Sequence, residues 1–177
     1  MQKGVIPQII NNFHMYKGAD DKAQKMFGVS GEITLPDMNA MTETITGSGL
    51  LGEIEAKNPG HFSAIDMEIP FIGLTDDMMA LDPIEYNMIT FRASEQSQVK
   101  ATRELVYSSM KIVVGGTPKT YKLGSVKIGS QMGSSVTLAV DYIKIEIDGT
   151  VALELDKLNE KFVVNGVDKL EKIRNMC

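Results

Sequence analysis

Ser135-Val136-Thr137-Leu138-Ala139-Val140-Asp141-Tyr142-Ile143-Lys144-Ile145-Glu146-Ile147-Asp148 is the stretch that decides the fold class. Val136, Leu138, Val140 and Tyr142 form one apolar row at a spacing of two, the period of a half-buried strand. Then the phase flips: Ile143, Ile145 and Ile147 are apolar, while Lys144, Glu146 and Asp148 are polar. A slip of one residue sends every later side chain to the opposite face. The flip therefore predicts a β-bulge, or a strand passing from one sheet to another. Asp148-Gly149 predicts a tight hairpin. Val151, Leu153 and Leu155 then predict the returning strand, with residues 162–164 continuing it.

The same alternation recurs upstream. It predicts strands over 29–35 (Val29, Gly31, Ile33, Leu35), 65–71 (Ile65, Met67, Ile69, Phe71), 87–93 (Ile89, Phe91), 104–114 (Val106, Met110, Ile112, Val114) and 121–128. Helices are few. Residues 76–81 read as one, with Thr75 as N-cap, acidic residues in the first turn and Pro83 closing it. A second is expected after Asn165-Gly166, with Val167, Leu170 and Ile173 as its apolar stripe. Residues 1–24, which include the cluster Asp20-Asp21-Lys22, read as an irregular polar arm. Residues 37–61 read as a long loop, rich in glycine yet carrying Leu50, Leu51 and Ile54. A loop of that length in a compact domain has a task or is disordered. The expectation is one all-β domain over residues 1–177, a mainly antiparallel sandwich or barrel with one or two short helices.

Composition narrows the function. The 177 residues are 43% hydrophobic and 23% charged, enough to bury a core without disulfides or a metal. The formal charge of −5, with scattered lysines and arginines, lacks the concentrated basic face that grips phosphates. The Met1 to Pro7 segment lacks the apolar core of a signal peptide, so secretory export is not expected, and no apolar run approaches the ~20 residues of a membrane span. Cys177 is the only cysteine, which excludes an internal disulfide. Gly47-Ser48-Gly49-Leu50-Leu51-Gly52 matches G-x-G-x-x-G, but a dinucleotide fingerprint must leave a strand and open a helix, and Pro59-Gly60 stops any helix soon after. His14 and His61 have no acidic partner at metal-ligand spacing. No nucleophile elbow or phosphate loop is present. No catalytic residue, metal or cofactor is expected, and the chain does not read as an enzyme.

What remains is a β-protein whose loop and arm are too apolar or too long for a monomer. Such segments are ordered by neighbours, and open sheet edges need partners. Closing those edges between identical copies gives a ring.

The C-terminal third then resembles a family. Val140 to Gly149 is followed by Leu155-Asp156-Lys157-Leu158-Asn159 and by Phe162-Val163-Val164-Asn165-Gly166-Val167-Asp168. These resemble the Tyr-x-Lys-x-x-x-x-Gly, Asp-x-x-Asn and Asn-Gly-x-Asp segments that end the major tail tube proteins of contractile-tailed phages. Ile33-Thr34-Leu35-Pro36, Gly47-Ser48-Gly49 and Phe91-Arg92-Ala93 fit more loosely, and 18–25 is longer than the family's usual turn. The resemblance implies a structural subunit that forms hexameric rings. These stack into a hollow tube inside a contractile sheath, in a virion tail or a tailocin particle assembled in the bacterial cytoplasm. It implies self-assembly, and tail sheath, tape measure, baseplate and tail terminator proteins as partners, with DNA passing without specific binding. A phage-tail-like bacteriocin tube, which depolarises a membrane and carries no DNA, is the alternative; a β-barrel ligand-binding protein is a more distant one. Carried onto this chain, the resemblance makes residues 38–60 the contact between rings, through Thr42, Gly47, Gly49, Leu50, Leu51 and Ile54. Phe13, Met15 and Tyr16 become contacts of the N-terminal arm, and Asp66 and Glu68 candidate lumen acids.

Overall fold

The computed structural model describes residues 4–20 and 22–177, so the expectations that fall on Met1, Gln2, Lys3 and Asp21 lie outside the described residues. In chain order the elements are β1 (Val5–Lys17), β2 (Gln24–Lys25), β3 (Ala40–Ile45), β4 (Ile54–Phe62), β5 (Ile65–Phe71), α1 (Asp76–Met79), β6 (Asn87–Val99), β7 (Leu105–Lys122), β8 (Ser134–Ile147), β9 (Thr150–Asp156), β10 (Lys161–Val164), β11 (Val167–Asp168) and α2 (Glu171–Arg174). The fold is all-β and antiparallel, with two short helices.

The phase flip in β8 is a bulge that also changes the strand's neighbour. Against β7, Val140 faces Gly116 and Tyr142 faces Gly115, which leaves Asp141 as the extra residue. Before it, residues 134–140 pair with β5; after it, residues 142–147 pair with β9. Val136, Leu138 and Val140 are buried, and Ile143 is the next buried residue beyond the bulge. The glycine pair on β7 is what lets the two backbones approach at this point.

The main sheet runs β11-β10-β9-β8-β7-β6-β1-β2, with β5 on the other side of β8's first half. Residues 26–30 nearly close it into a barrel. The Met26 N–H donates to the Met15 carbonyl at 2.9 Å; Ser30 N–H donates to Pro70 O at 2.9 Å, and Ile72 N–H to Gly28 O at 2.8 Å. Inside lie Met15, Met26, Met67, Ile69, Phe71, Ile89, Val114, Val136, Leu138 and Leu155, with Met78 of α1 and Leu81 in the same buried cluster. The β5 sequence shows the cause: Ile65, Met67, Ile69 and Phe71 are buried, while Asp66 and Glu68 face solvent.

Several sequence expectations are corrected. Residues 29–35 form a single bridge, Val29 to Phe71, and no strand. Val29 and Ile33 alternate because they lean on the core, and Pro36 has no N–H to extend a ladder. β7 runs only to Lys122; Val126 and Ile128 beyond it stand in solvent. Residues 161–164 do not prolong β9 but return against it, Phe162 facing Leu155. The Asp156 carboxylate makes that turn, accepting from the Leu158 and Asn159 N–H groups at 3.1 and 3.0 Å. Asn165-Gly166, both at positive φ, is a second tight hairpin, so Val167 starts β11 and the helix begins only at Glu171.

The irregular arm is the largest correction. Residues 5–17 form a long strand paired with β6 from Val5–Val99 to Lys17–Ile89. Two register shifts, at Pro7/Ile9 and Ile10/Asn12, break its period of two, which is why alternation does not reveal it. α1 keeps its expected start and cap, Thr75 Oγ1 accepting from the Met78 N–H at 3.2 Å, but it ends at Met79 with Ala80 as C-cap, short of the expected Leu81. We expect Thr75→Ala to lower stability by about 1 kcal/mol, read from the urea unfolding midpoint.

Candidate subunit-contact surfaces

Residues 37–61 are a hairpin rather than a loop. Among the described residues β3 and β4 pair only with each other, from Ala40–Phe62 to Ile45–Ile54. The root is anchored: Phe62 packs edge-to-face on Phe162 at 5.2 Å, and the Lys157 ammonium donates to Ser63 O at 2.7 Å. Gly60, at φ +75, lies under Leu170, whose side chain leaves no room for a Cβ. Beyond the root every side chain of β3 and of the tip is exposed, with Met41, Ile45, Leu50, Leu51 and Ile54 among the exposed large apolar residues. Thr42 sits on β3, facing Lys57. Gly47 and Gly49 are in the tip with open space around them, and Gly49 has φ +92. The G-x-G-x-x-G match thus lies on a hairpin tip and precedes β4, not a helix.

A second exposed apolar element is the 123–133 loop, with Leu123, Val126 and Ile128 in solvent. Sequence reading takes it for a strand; its flanking Gly124, Gly129 and Gly133, all at positive φ, are the signal for a loop. The third is the outer half of β1. Ile6, Ile9 and Ile10 are about half exposed, and among the described residues no strand pairs with the outer edge of β1 between Val5 and His14. Of the arm residues, Met15 is 2% exposed and belongs to the core, opposite Phe91, so it has no surface to offer a neighbour. Phe13 and Tyr16 are half-buried, and Tyr16 lies under the Arg92 guanidinium at 5.4 Å.

Charge is paired rather than pooled. On the outer side of β5, Asp66 is ion-paired with Lys119 and Glu68 with Lys122 at 2.8 Å; Ser135 Oγ also donates to Glu68 at 2.6 Å. The reach across β8 is open because its intervening residues are Ala139, Thr137 and Ser135. The Lys122 bond and then the Ser135 bond hold the Glu68 carboxyl below its ordinary value. A charged ladder crosses the opposite part of the sheet: Lys144 contacts Glu146 at 2.6 Å, and Lys161 contacts Glu154 at 2.9 Å. Lys144 holds Glu146 low, and Arg174 holds Asp168 low. Burial pushes the Tyr142 hydroxyl up to about 12. Burial and the 2.6 Å bond to Asp141 raise Tyr86 as well.

These shifts have opposite signs in pH. The carboxylates stabilise the fold above their ordinary range near pH 4, and that contribution disappears as pH falls through their depressed values. The tyrosines stabilise it below about pH 10, and that contribution disappears as pH rises through their raised values. We therefore expect the unfolding midpoint to be flat from about pH 6 to 9 and to fall on both sides; Tyr86→Phe together with Tyr142→Phe flattens the alkaline limb.

Among the described residues no three His, Cys, Asp or Glu side chains converge as a metal site. The chain offers surfaces for contact. A family model described as phage tail tube protein FII matches residues 7–176.

This chain belongs to the phage tail tube protein FII family.

The tail tube protein of Escherichia phage P2 is 28% identical over 151 residues, covering 83% of this chain and 86% of that protein. A cryo-EM structure described as the PVC sheath/tube terminator of an extracellular contractile injection system, in the extended state, shares the fold: the TM-score is 0.52 at 15% identity, over 79% of this chain and 96% of that one. As a tail tube protein the chain is a structural subunit. The motifs that carry the resemblance now have physical roles: Asp156-x-x-Asn159 is the β9–β10 turn, and Asn165-Gly166-x-Asp168 is the β10–β11 hairpin with its helix anchor, Asp168 accepting from Leu170 N–H at 2.9 Å.

Proposed function

We propose that this tail tube protein closes into hexameric rings that stack into a hollow tube inside a contractile sheath, through which DNA passes without specific binding. One observation carries the reading: a tail tube family chain has a long strand edge on β1 with no partner among the described residues and, elsewhere, a hairpin whose apolar tip is exposed. Unpaired edges of assembling β-proteins are completed by neighbouring copies. The hairpin's Thr42, Gly47, Gly49, Leu50, Leu51 and Ile54 are the contact between rings, and Phe13 and Tyr16 support the β1 edge. Sheath, tape measure, baseplate and terminator proteins are the partners, and the assembled tail is the location.

The outer face of β5 is the candidate lumen wall. Its acids are neutralised by Lys119 and Lys122, so this wall is a mixed charged strip. It offers phosphates few net attractions, and like charge on the chain as a whole limits sticking. Negative-stain electron microscopy of concentrated protein with baseplate template tests the assembly; hollow tubes are expected, and a monomer at every concentration overturns it. Asp66→Lys with Glu68→Lys is expected to slow DNA ejection severalfold at low salt while tubes still form, because the strip becomes a run of cations.

A further inference from the structure

The barrel is incomplete at one place. β1 and the segment that follows β2 separate beyond the Met15–Met26 hydrogen bond, and a cleft of about 640 Å³ opens between Ile10–Met15 and Lys25–Ile33. One wall is the outer edge of β1, where residues 10–14 have no strand partner among the described residues. The other wall is residues 28–33, whose backbone is tied to β5 on its far side through Ser30–Pro70 and Gly28–Ile72. The floor is apolar: Phe13, Val29 and Ile33 are half-buried, and Val29 and Ile33 pack on the core. At the rim, Lys25 lies 3.5 Å from His14 Nε2 and 5.7 Å over the exposed Phe27 ring, and no carboxylate among the described residues pairs with it. In shape this is a sheet with a strand missing.

We propose that the cleft receives the β3–β4 hairpin of a second copy of this chain. The inference rests on the tail tube reading and names the acceptor of that contact. Three features choose this occupant. Among the described residues β3 and β4 pair only with each other, so the hairpin's outer edges can add backbone hydrogen bonds to β1. Its tip carries Leu50, Leu51 and Ile54, apolar and exposed, to cover the floor. Its acids Glu43, Glu53 and Glu55 are exposed, while Lys57 is its one lysine, so it is negative and can meet Lys25; Glu32 on the wall and Asp77, whose carboxylate accepts from the Phe27 N–H at 2.8 Å, are the acids beside the cleft. Insertion pairs the free backbone groups, covers the apolar floor and gives Lys25 a counter-ion.

The test is a disulfide trap in a Cys177→Ser background, with Phe27→Cys at the rim and Leu51→Cys at the tip. Assembled tubes oxidised with copper phenanthroline are expected to run as a ladder of covalent multimers on a non-reducing gel, collapsing to monomer with reductant, while either cysteine alone gives no ladder. Intact tubes without a ladder, or an internally bridged monomer, overturn the proposal and leave the tube reading standing. Glu53→Lys with Glu55→Lys is expected to cut tube yield at least tenfold, and adding Lys25→Glu to restore it; a charge-reversed hairpin that assembles as well as the parent also overturns it. A parent chain that never forms tubes overturns the tube reading and this one with it.

Discussion

Gly116→Ala is expected to destabilise the folded subunit by about 3 kcal/mol, the upper end of what a single added methyl costs in a packed interior. A Cβ at Gly116 lies 3.0 Å from the Ala139 carbonyl carbon and 3.1 Å from Val140 Cα, and closer still to the Ala139 oxygen. These are backbone atoms of the neighbouring strand at its bulge, held by pairing with β5 on the other side, so they cannot turn aside. Gly115→Ala is the informative contrast. Its Cβ meets the Tyr86 hydroxyl, Met88 Sδ at 2.7 Å and Tyr142 Cβ at 3.0 Å, mostly ends of flexible side chains. It is expected to cost about 1 kcal/mol and to release the Tyr86–Asp141 bond. Gly31→Ala, with nothing within 4 Å, serves as the neutral control. Urea unfolding of the three variants, followed by far-ultraviolet circular dichroism, gives the order. Equal effects at Gly116 and Gly31 would show that the bulge does not need its close approach.

The second large effect concerns assembly and leaves the fold alone. Leu50→Ser, Leu51→Ser and Ile54→Ser together are expected to abolish tubes while moving the unfolding midpoint little, because the three side chains are exposed in the isolated subunit and surface changes of this kind stay within about 0.5 kcal/mol. If each side chain is buried between copies, the loss at the low end is about 1.5 kcal/mol apiece, more than a thousandfold in the association constant when summed. The same substitutions at Leu123, Val126 and Ile128 ask whether the second apolar loop belongs to the tube contact or to a different partner. Sedimentation and electron microscopy read both sets. Normal tubes from the hairpin variant would remove the hairpin from the contact.

The amino-acid sequence by itself determined what depends on near neighbours. The all-β class, β5 with its buried and exposed rows, the phase flip in β8, the Asp148-Gly149 hairpin and the Thr75 cap all follow from spacing, turn chemistry and side-chain type within a few residues. So did the apolar character of Leu50, Leu51 and Ile54. The tertiary structure alone decided which segments find partners far along the chain. Residues 5–17 become a strand because β6, some 70 or more residues later, supplies the other half of the ladder, and two bulges hide the alternation that local reading needs. Residues 29–35 alternate as well as any strand yet pair at one bridge only, because their backbone meets the edge of β5 at Gly28 to Ser30 and then leaves it, while Ile33 still leans on the core. Residues 37–61 look shapeless because a hairpin exposed on both faces has no buried row to mark it. Alternation records burial, and pairing is set by geometry at a distance; the open edge of β1 and the cleft beside it, where a second copy is proposed to bind, exist only in the second of these.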